Sequence, residues 1–418
     1  MKSPFHVYKF GGASVRDANA IRKVAAIVRA SQDVKLLVVI SAMGKTTNAL
    51  ERVVGHMKKG SDFRLELNEI RAYHQKVMTD LIPKGHSVWQ DIDTQFKAIE
   101  NQQTAGLSHD QLYDQVVSRG ELMSTMIVSA FLESDGINTK WADVRTYIRT
   151  DDCYREGKVD WEESEKRISG IKSLLEEHVV ITQGFLGGNT AGFTTTLGRE
   201  GSDYTAAIFG SCLPAANVTI WKDVPGVMNA DPKRIPDAVP FEELPFREAA
   251  EMTYYGASVI HPKTIKPLAN RSIPLLVKNF DDPTLPGTVI HEVRIKNLPP
   301  LIVFKENQCL ISCGVTDYTF IDEQQLSLIF NAISELNMKI NVMQNSAISF
   351  SFCVDYREEK VQQLIEVLAK HFEVYYNTGL MLITVKNYDD KTYQAYRQRK
   401  GIILEQTSRS TLQLLIRN

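Results

Sequence analysis

His6-Val7-Tyr8-Lys9-Phe10-Gly11-Gly12-Ala13-Ser14 reads as a short strand, a lysine near its end, and a glycine pair leading into a helix. From about Ser14 to Ala30, residues Ile21, Val24, Ala25 and Val28 share one helical face, and Ser14 with Asp17 forms a capping-box pattern at its start. Lys35 to Ser41 follows as an almost wholly apolar strand, the composition of a strand buried on both faces. Strand, helix and strand in this order predict neighbouring parallel strands.

The same rhythm continues outward. A charged helical tract runs from about Thr46 to Gln102, broken near Pro83, and Gln111 to Glu133 is helical again. Val179 to Gln183 and Asn217 to Lys222 are short strands, with a hairpin-like Gly187-Gly188-Asn189 turn after the first. The expectation is an α/β domain over residues 1–296, a mostly parallel sheet sandwiched by helices. Past Lys296 the pattern changes, and Leu298-Pro299-Pro300 reads as a linker. Strand (310–315), helix (322–336), two strands (339–343, 347–354), helix (358–370) and strand (372–376) give βαββαβ, a ferredoxin-like α+β unit at about 308–377. A shorter unit at about 378–418 has a strand, one helix and two strands. A strand near 301–305 would complete it and interleave the two small units within 297–418.

Composition narrows the function classes. The chain has 418 residues, enough for two or three domains, with a net charge of -2, 43% apolar and 23% charged residues. Without a broad basic field, nucleic acid is not an expected partner. The longest apolar run, Leu36 to Ile40, falls far short of the ~18 residues of a spanning helix, so no membrane partner is expected. Met1 to Phe10 lacks the apolar run of a signal peptide, and a cytoplasmic location is expected. The five cysteines, Cys153, Cys212, Cys309, Cys313 and Cys353, include no Cys-x-x-Cys and read as reduced, structural thiols.

Four segments carry polar groups in patterns suited to chemistry. Lys9 through Ser14 offers glycine backbone N–H groups and a point charge to a phosphate. Ser118-Arg119-Gly120-Glu121 places a carboxylate in an apolar helical tract, where it could meet an ammonium group. Gly198-Arg199-Glu200-Gly201-Ser202-Asp203-Tyr204-Thr205 combines an arginine suited to carboxylates with a helix start that Ser202 can cap. Trp221-Lys222-Asp223-Val224-Pro225-Gly226, then Ala230-Asp231-Pro232-Lys233, leaves a strand through a turn, where nucleotides bind at the edge of parallel sheets. Each segment alone is also compatible with an ordinary turn or a solvated helix charge. Gly44-Lys45-Thr46 imitates the end of a P-loop, but the upstream glycine is replaced by Val39. There is no Gly-x-Gly-x-x-Gly and no His-Arg-Asp.

Taken together, the four segments resemble the amino-acid-kinase family, and within it the aspartate kinases, over nearly the whole chain. Ser41-Ala42-Met43, Thr46-Thr47-Asn48, Gly256-Ala257 and His261-Pro262 add to the likeness, as do C-terminal units of the ACT type that include Asn341 to Ser346. The resemblance implies an ATP-dependent phosphotransferase that makes 4-phospho-L-aspartate from L-aspartate, the first step toward lysine, threonine and methionine. It implies that Lys9 contacts the transferring phosphoryl group and that Asp203 orients that lysine. It places Gly11, Gly12 and Ser14 along the phosphates, and Thr47, Glu121, Arg199 and Ser202 around aspartate. Asp223, Asp231 and Lys233 fall in the nucleotide segment, with Lys263 toward the adenine. ATP is expected with Mg²⁺, and a homodimer and an amino-acid effector at the ACT region are further expectations. Glu200 stands where relatives carry a second glycine, and Ser258 where they carry a lysine. The segment Thr316 to Gln325 lacks a glycine common before the first regulatory helix. No fused homoserine dehydrogenase is expected after Asn418. A kinase for glutamate or acetylglutamate, and a catalytically dead sensor, are the rival readings.

Overall fold

The structure is a computed structural model that describes residues 4–257, 260–316 and 320–417. In chain order the elements begin with β1 (Phe5–Phe10), a 3₁₀ turn (Gly12–Val15), α1 (Ala18–Arg29), β2 (Lys35–Ile40), α2 (Thr46–Lys59), α3 (Arg64–Leu81), α4 (Val88–Glu100), α5 (His109–Val117) and α6 (Arg119–Ser134). Next come β3 (Thr139–Ala142), α7 (Trp161–Ser169), α8 (Lys172–Glu177), β4 (Val179–Gln183), β5 (Leu186–Gly188), β6 (Thr194–Thr196), α9 (Gly201–Cys212) and β7 (Asn217–Lys222). They are followed by β8 (Glu243–Pro245), α10 (Phe246–Tyr255), α11 (Pro262–Asn270), β9 (Leu275–Asn279) and β10 (Thr288–His291). The remaining elements are β11 (Leu301–Gly314), α12 (Glu323–Glu335), β12 (Ile340–Asn345), β13 (Ser349–Asp355), α13 (Glu358–Leu368), β14 (Glu373–Lys386), α14 (Asp390–Arg397), β15 (Ile402–Thr407) and β16 (Thr411–Arg417).

The chain divides into two compact units: residues 1–227, 240–250 and 259–294, and residues 228–239, 251–258 and 295–418. The first holds an eight-stranded sheet in the order β3-β4-β2-β1-β7-β9-β10-β8, parallel except between β9 and β10. β1 lies at its centre, with Lys9 opposite Val39 on one side and Ile220 on the other. In β2, Leu36, Val38 and Ile40 enter a core with Ile21, Val24 and Val28 of α1. Leu37 and Val39, equally buried, point to the opposite face. Helix α9 packs on β1 and β7, and α11 on α9.

The second unit holds a six-stranded antiparallel sheet, β12-β13-β11-β14-β16-β15. Two of its strands, β11 and β14, are each 14 residues long. The sequence suggests separate strands at 301–304 and 310–315, and again at 372–376 and 380–386. Each pair is one continuous strand, and the register between the two shifts from Lys305 to Leu310 on β11, opposite Asn377 to Leu382 on β14. The Asn307 backbone turns left-handed there (φ 54°), which breaks the sequence pattern without ending the strand.

Local geometry corrects other readings. Asp17, not Ser14, caps α1: its Oδ1 accepts from Ala20 N–H at 2.8 Å, while Ser14 closes the 3₁₀ turn with its N–H on Gly11 O at 2.9 Å. The tract 111–133 is two helices, α5 and α6. At the joint, Ser118 Oγ turns back to Gln115 O at 3.3 Å. Gly187 and Gly188 lie in β5 rather than in a turn, and Asn189 to Phe193 close the hairpin. Among the described residues no helix is long and apolar enough to cross a membrane.

Packing in α9 leaves no room for a side chain at Gly210: an added Cβ would press into Val218 Cγ2 and lie 3.3 Å from Leu268 Cδ2. Gly55, within α2, has nothing within 4 Å of that position. Gly210→Ala is expected to cost ~1–3 kcal/mol by overpacking. Gly55→Ala is expected to stabilise by up to about 1 kcal/mol through helix propensity. Urea denaturation of both variants checks the pair, and equal shifts would contradict this packing.

Candidate active site

The C-terminal ends of β1 and β7 lie side by side, and each delivers a lysine. Lys9 Nζ is 2.7 Å from Asp203 Oδ1, and Lys222 Nζ is 3.4 Å from Asp203 Oδ2. Asp203 is wholly buried in the first turn of α9, where the helix dipole favours its charge. Burial alone would push its carboxyl up, but the Lys9 and Lys222 ammoniums hold it below the ordinary carboxylate range.

The loop before α9 is bent as the sequence requires, but not by the cap expected. Glu200 is the N-cap residue, in left-handed backbone (φ 55°), and its side chain makes no capping bond. Ser202 therefore sits inside the first turn rather than capping it. Gly184 clears the space for it, since a Cβ there would lie 2.5 Å from Ser202 Cβ. The turn after β1 also relies on a glycine. A Cβ on Gly12 would lie 2.7 Å from Gly44 O and 2.8 Å from Ala42 O, and Gly44 N–H donates to Gly12 O at 3.0 Å.

Beside this cluster is a cavity of about 810 Å³, lined by Lys9, Thr47, Glu121, Arg199 and Ser202 among others. Arg199 is exposed to it, and Thr47 is half-buried. Glu121 is buried on α6, where Oε1 accepts from Ala42 N–H at 3.3 Å and Oε2 has no partner among the described residues. Burial drives its carboxyl up to about 8, against the opposing effects of the Ala42 and Glu121 backbone N–H groups and Lys9. The site thus pairs a charged carboxylate, Asp203, with one that is largely neutral at pH 7, ready to ionise when a cation arrives.

The remaining expected residues lie elsewhere. Gly11 is partly exposed and Ser14 buried in the turn after β1. Asp223 is exposed just past β7. Lys263, exposed at the start of α11, holds its ammonium 3.6 Å from where a Gly198 Cβ would be, over the glycine loop. Asp231 and Lys233 are exposed in the 228–239 segment that packs with the second unit, with Lys233 N–H on Asp231 Oδ1 at 3.0 Å. Ser258 and part of the Thr316 to Gln325 segment lie outside the described residues. Sequence reasoning missed Lys222: it stands in a quoted segment, but only the β1–β7 pairing brings it to Asp203.

Residues 4–279 match the amino acid kinase family, and the chain belongs to that family. Within it, the chain is a kinase of the aspartokinase group. It is 34% identical to lysine-sensitive aspartokinase 3 of Escherichia coli, over 84% of this chain and 78% of that protein. The crystal structure of E. coli aspartokinase III in complex with aspartate and ADP superposes with a TM-score of 0.83 at 29% identity, covering 99% of this chain and 96% of that one. The same enzyme in complex with lysine and aspartate gives 0.81 at 28% identity, with the same coverage of each chain. The chain spans 42% of the length of the bifunctional aspartokinase/homoserine dehydrogenase 2 of Arabidopsis thaliana, to which it is 30% identical over 88% of its own residues.

The raised Glu121 carboxyl has a consequence for stability. The folded chain holds its proton up to about pH 8, whereas the ordinary value is 4.5. The unfolded chain releases that proton first, so this group lowers stability as pH rises through the window. Glu121→Gln, neutral throughout, is expected to gain on the wild type by a few kcal/mol at most between about pH 5 and about pH 8. Urea denaturation at both ends checks it, and a pH-independent difference would refute the buried, neutral carboxyl.

Proposed function

We propose that this chain is an aspartate kinase that transfers the γ-phosphoryl group of ATP to the β-carboxylate of L-aspartate. The product is 4-phospho-L-aspartate, on the route to lysine, threonine and methionine. The observation that carries the reading is the Lys9–Asp203–Lys222 cluster opening beside a cavity lined by Thr47, Glu121, Arg199 and Ser202. The aspartate and ADP bound to E. coli aspartokinase III support the same substrates here.

The nucleophile needs no base, because a free aspartate side chain has a pKa of ~3.9 and is already an anion. The barrier is electrostatic: two anions must meet, and charge spreads over the moving phosphoryl group. Lys9 is the group placed to take up that charge, and Asp203 holds its ammonium at one point at the strand end. Lys222 shares Asp203, so the cluster keeps a net positive charge toward the cavity. Arg199 binds a substrate carboxylate, Glu121 takes the ammonium and ionises as it does so, and Thr47 and Ser202 complete the orientation. Gly11, Gly12, Ser14, Asp223, Asp231, Lys233 and Lys263 are assigned to the nucleotide, and Mg²⁺ enters as part of the ATP complex.

The same reading assigns residues 1–296 to catalysis and 297–418 to ACT-type regulation, in a cytoplasmic homodimer. The lysine complex of E. coli aspartokinase III supports an amino-acid effector. Calorimetric titration with lysine, threonine and methionine tests that part, and silence from all three refutes it.

Purified chain with Mg²⁺, ATP and L-aspartate is expected to yield aspartyl hydroxamate when hydroxylamine traps the acyl phosphate, and none with L-glutamate. Lys9→Ala is expected to lower kcat by roughly a hundredfold or more while changing the aspartate KM far less. A near-normal kcat would remove Lys9 from the reaction. Glu121→Ala is expected mainly to raise the aspartate KM, and a raised ATP KM instead would place Glu121 in the other subsite.

A further inference from the structure

Among the described residues, eight that are not glycine have positive φ, and three of them line this one cavity: Arg155 (64°), Phe185 (72°) and Glu200 (55°). Side chains in left-handed backbone are strained and collect where function requires them. Arg155 is the charged one of the three with no role so far.

One face of α5 builds its seat. Asp110, Tyr113 and Asp114 stand at i, i+3 and i+4, and so on one side of the helix. The Arg155 guanidinium lies over the Tyr113 ring at 4.2 Å, and its Nη1 is 3.6 Å from Asp110 Oδ1. Its backbone N–H donates to Asp114 Oδ2 at 3.0 Å. That bond satisfies the donor that the left-handed turn directs inward. Nearly half of the Arg155 side chain (45%) stays exposed, so the planar fork retains donors for a ligand.

Asp114 does more than hold Arg155. Fully buried, it also accepts from Thr196 N–H at 2.9 Å and Thr196 Oγ1–H at 2.8 Å. Thr196 ends β6, and Arg199 follows three residues later. Gly157 N–H donates to Thr196 O at 2.8 Å, and a Cβ on Gly198 would lie 3.3 Å from Arg155 O. One carboxylate therefore sets the spacing between two segments, each carrying a guanidinium into the same cavity. A dicarboxylic amino acid has two anionic groups, and Arg199 accounts for one.

We propose that Arg155 is a second substrate-binding arginine, for the carboxylate that Arg199 leaves unpaired, and that Asp114 is the positioning residue that holds it there. The proposal rests on the aspartate kinase reading above. Arg155→Gln is expected to raise the aspartate KM by about tenfold or more, with kcat and the ATP KM changed less than about threefold. Arg155→Lys keeps the charge but not the fork and is expected to recover part of the loss. Asp114→Asn is expected to raise the aspartate KM in the same direction, and the Arg155→Gln/Asp114→Asn double variant to be little worse than Arg155→Gln alone. Arg155→Gly separates function from scaffold: it relieves the left-handed backbone, so it is expected to melt higher than the wild type while binding aspartate more weakly. Calorimetric titration of aspartate, run beside the hydroxamate assay, distinguishes two failures. A wild type that neither binds nor phosphorylates aspartate removes the kinase reading and this proposal with it. A wild type that does both, with an Arg155→Gln variant matching its aspartate affinity, overturns this proposal alone.

Discussion

Asp203, fully buried between the ammoniums of Lys9 and Lys222, is the constraint that the site depends on. A lone carboxylate in that position would be driven neutral, and two lysines without it would repel one another. The three-charge cluster needs β1 and β7 adjacent and parallel, so that both lysines emerge at the same edge of the sheet. It also needs α9 to begin over that edge. Gly210 lets α9 press against Val218, and Gly201, whose Cβ would lie 2.6 Å from Phe185 Cδ2, lets the chain turn into the helix. The fold therefore works as a device for bringing three charges from two strands and one helix to a single point.

The two buried carboxylates of the site show how environment divides chemistry. Asp203 has two cations within reach and a helix N-terminus, and stays charged. Glu121 has only the backbone N–H groups of Ala42 and Glu121 and a more distant Lys9 against its burial, which keeps its proton on up to about pH 8. The charged one serves fixed partners, and the neutral one keeps an oxygen without a partner among the described residues. On the aspartate kinase reading proposed above, a substrate ammonium entering beside Glu121 would compensate the desolvation that keeps it protonated, and binding energy would go into creating that charge.

Much of this was legible in the chain, for identifiable reasons. Continuous apolar strands such as Lys35–Ile40 announced a sheet buried on both faces, and the glycines after Phe10 and around Arg199 announced backbone in close quarters. What could not be read was strand order. Lys222 was in view, but its partnership with Asp203 exists only because β7 pairs with β1. Asp114 and Arg155 carried no motif at all, since their bond joins residues 41 positions apart. Capping was misread at Ser14 and Ser202 because tertiary demands, the Gly12–Gly44 contact and the left-handed Glu200, shifted each helix start.

In the second unit the same limit appears as length. β14 reads as two strands because Asn377-Thr378-Gly379 interrupts it, and β11 because the segment from Lys305 to Leu310 interrupts the apolar alternation. The interruption is polar and satisfied rather than a break. Lys305 Nζ pairs with Asp355 Oδ1 at 2.7 Å and donates to Asn341 Oδ1 at 2.9 Å. Asn341 Nδ2 donates to Gln308 Oε1 at 2.7 Å, and Gln308 Nε2 to Asp355 Oδ1 at 3.0 Å. This network ties β11 to β12 and β13 where the ladder shifts register. A one-residue slip there would leave partly buried amides and charges unpaired, a cost that apolar contacts tolerant of sliding would not impose. Because β11 runs through the shift between β13 and β14, and β14 pairs in turn with β16, register fixed at Lys305 is passed across the sheet to both helical layers of the unit, the one under α12 and α13 and the one under α14.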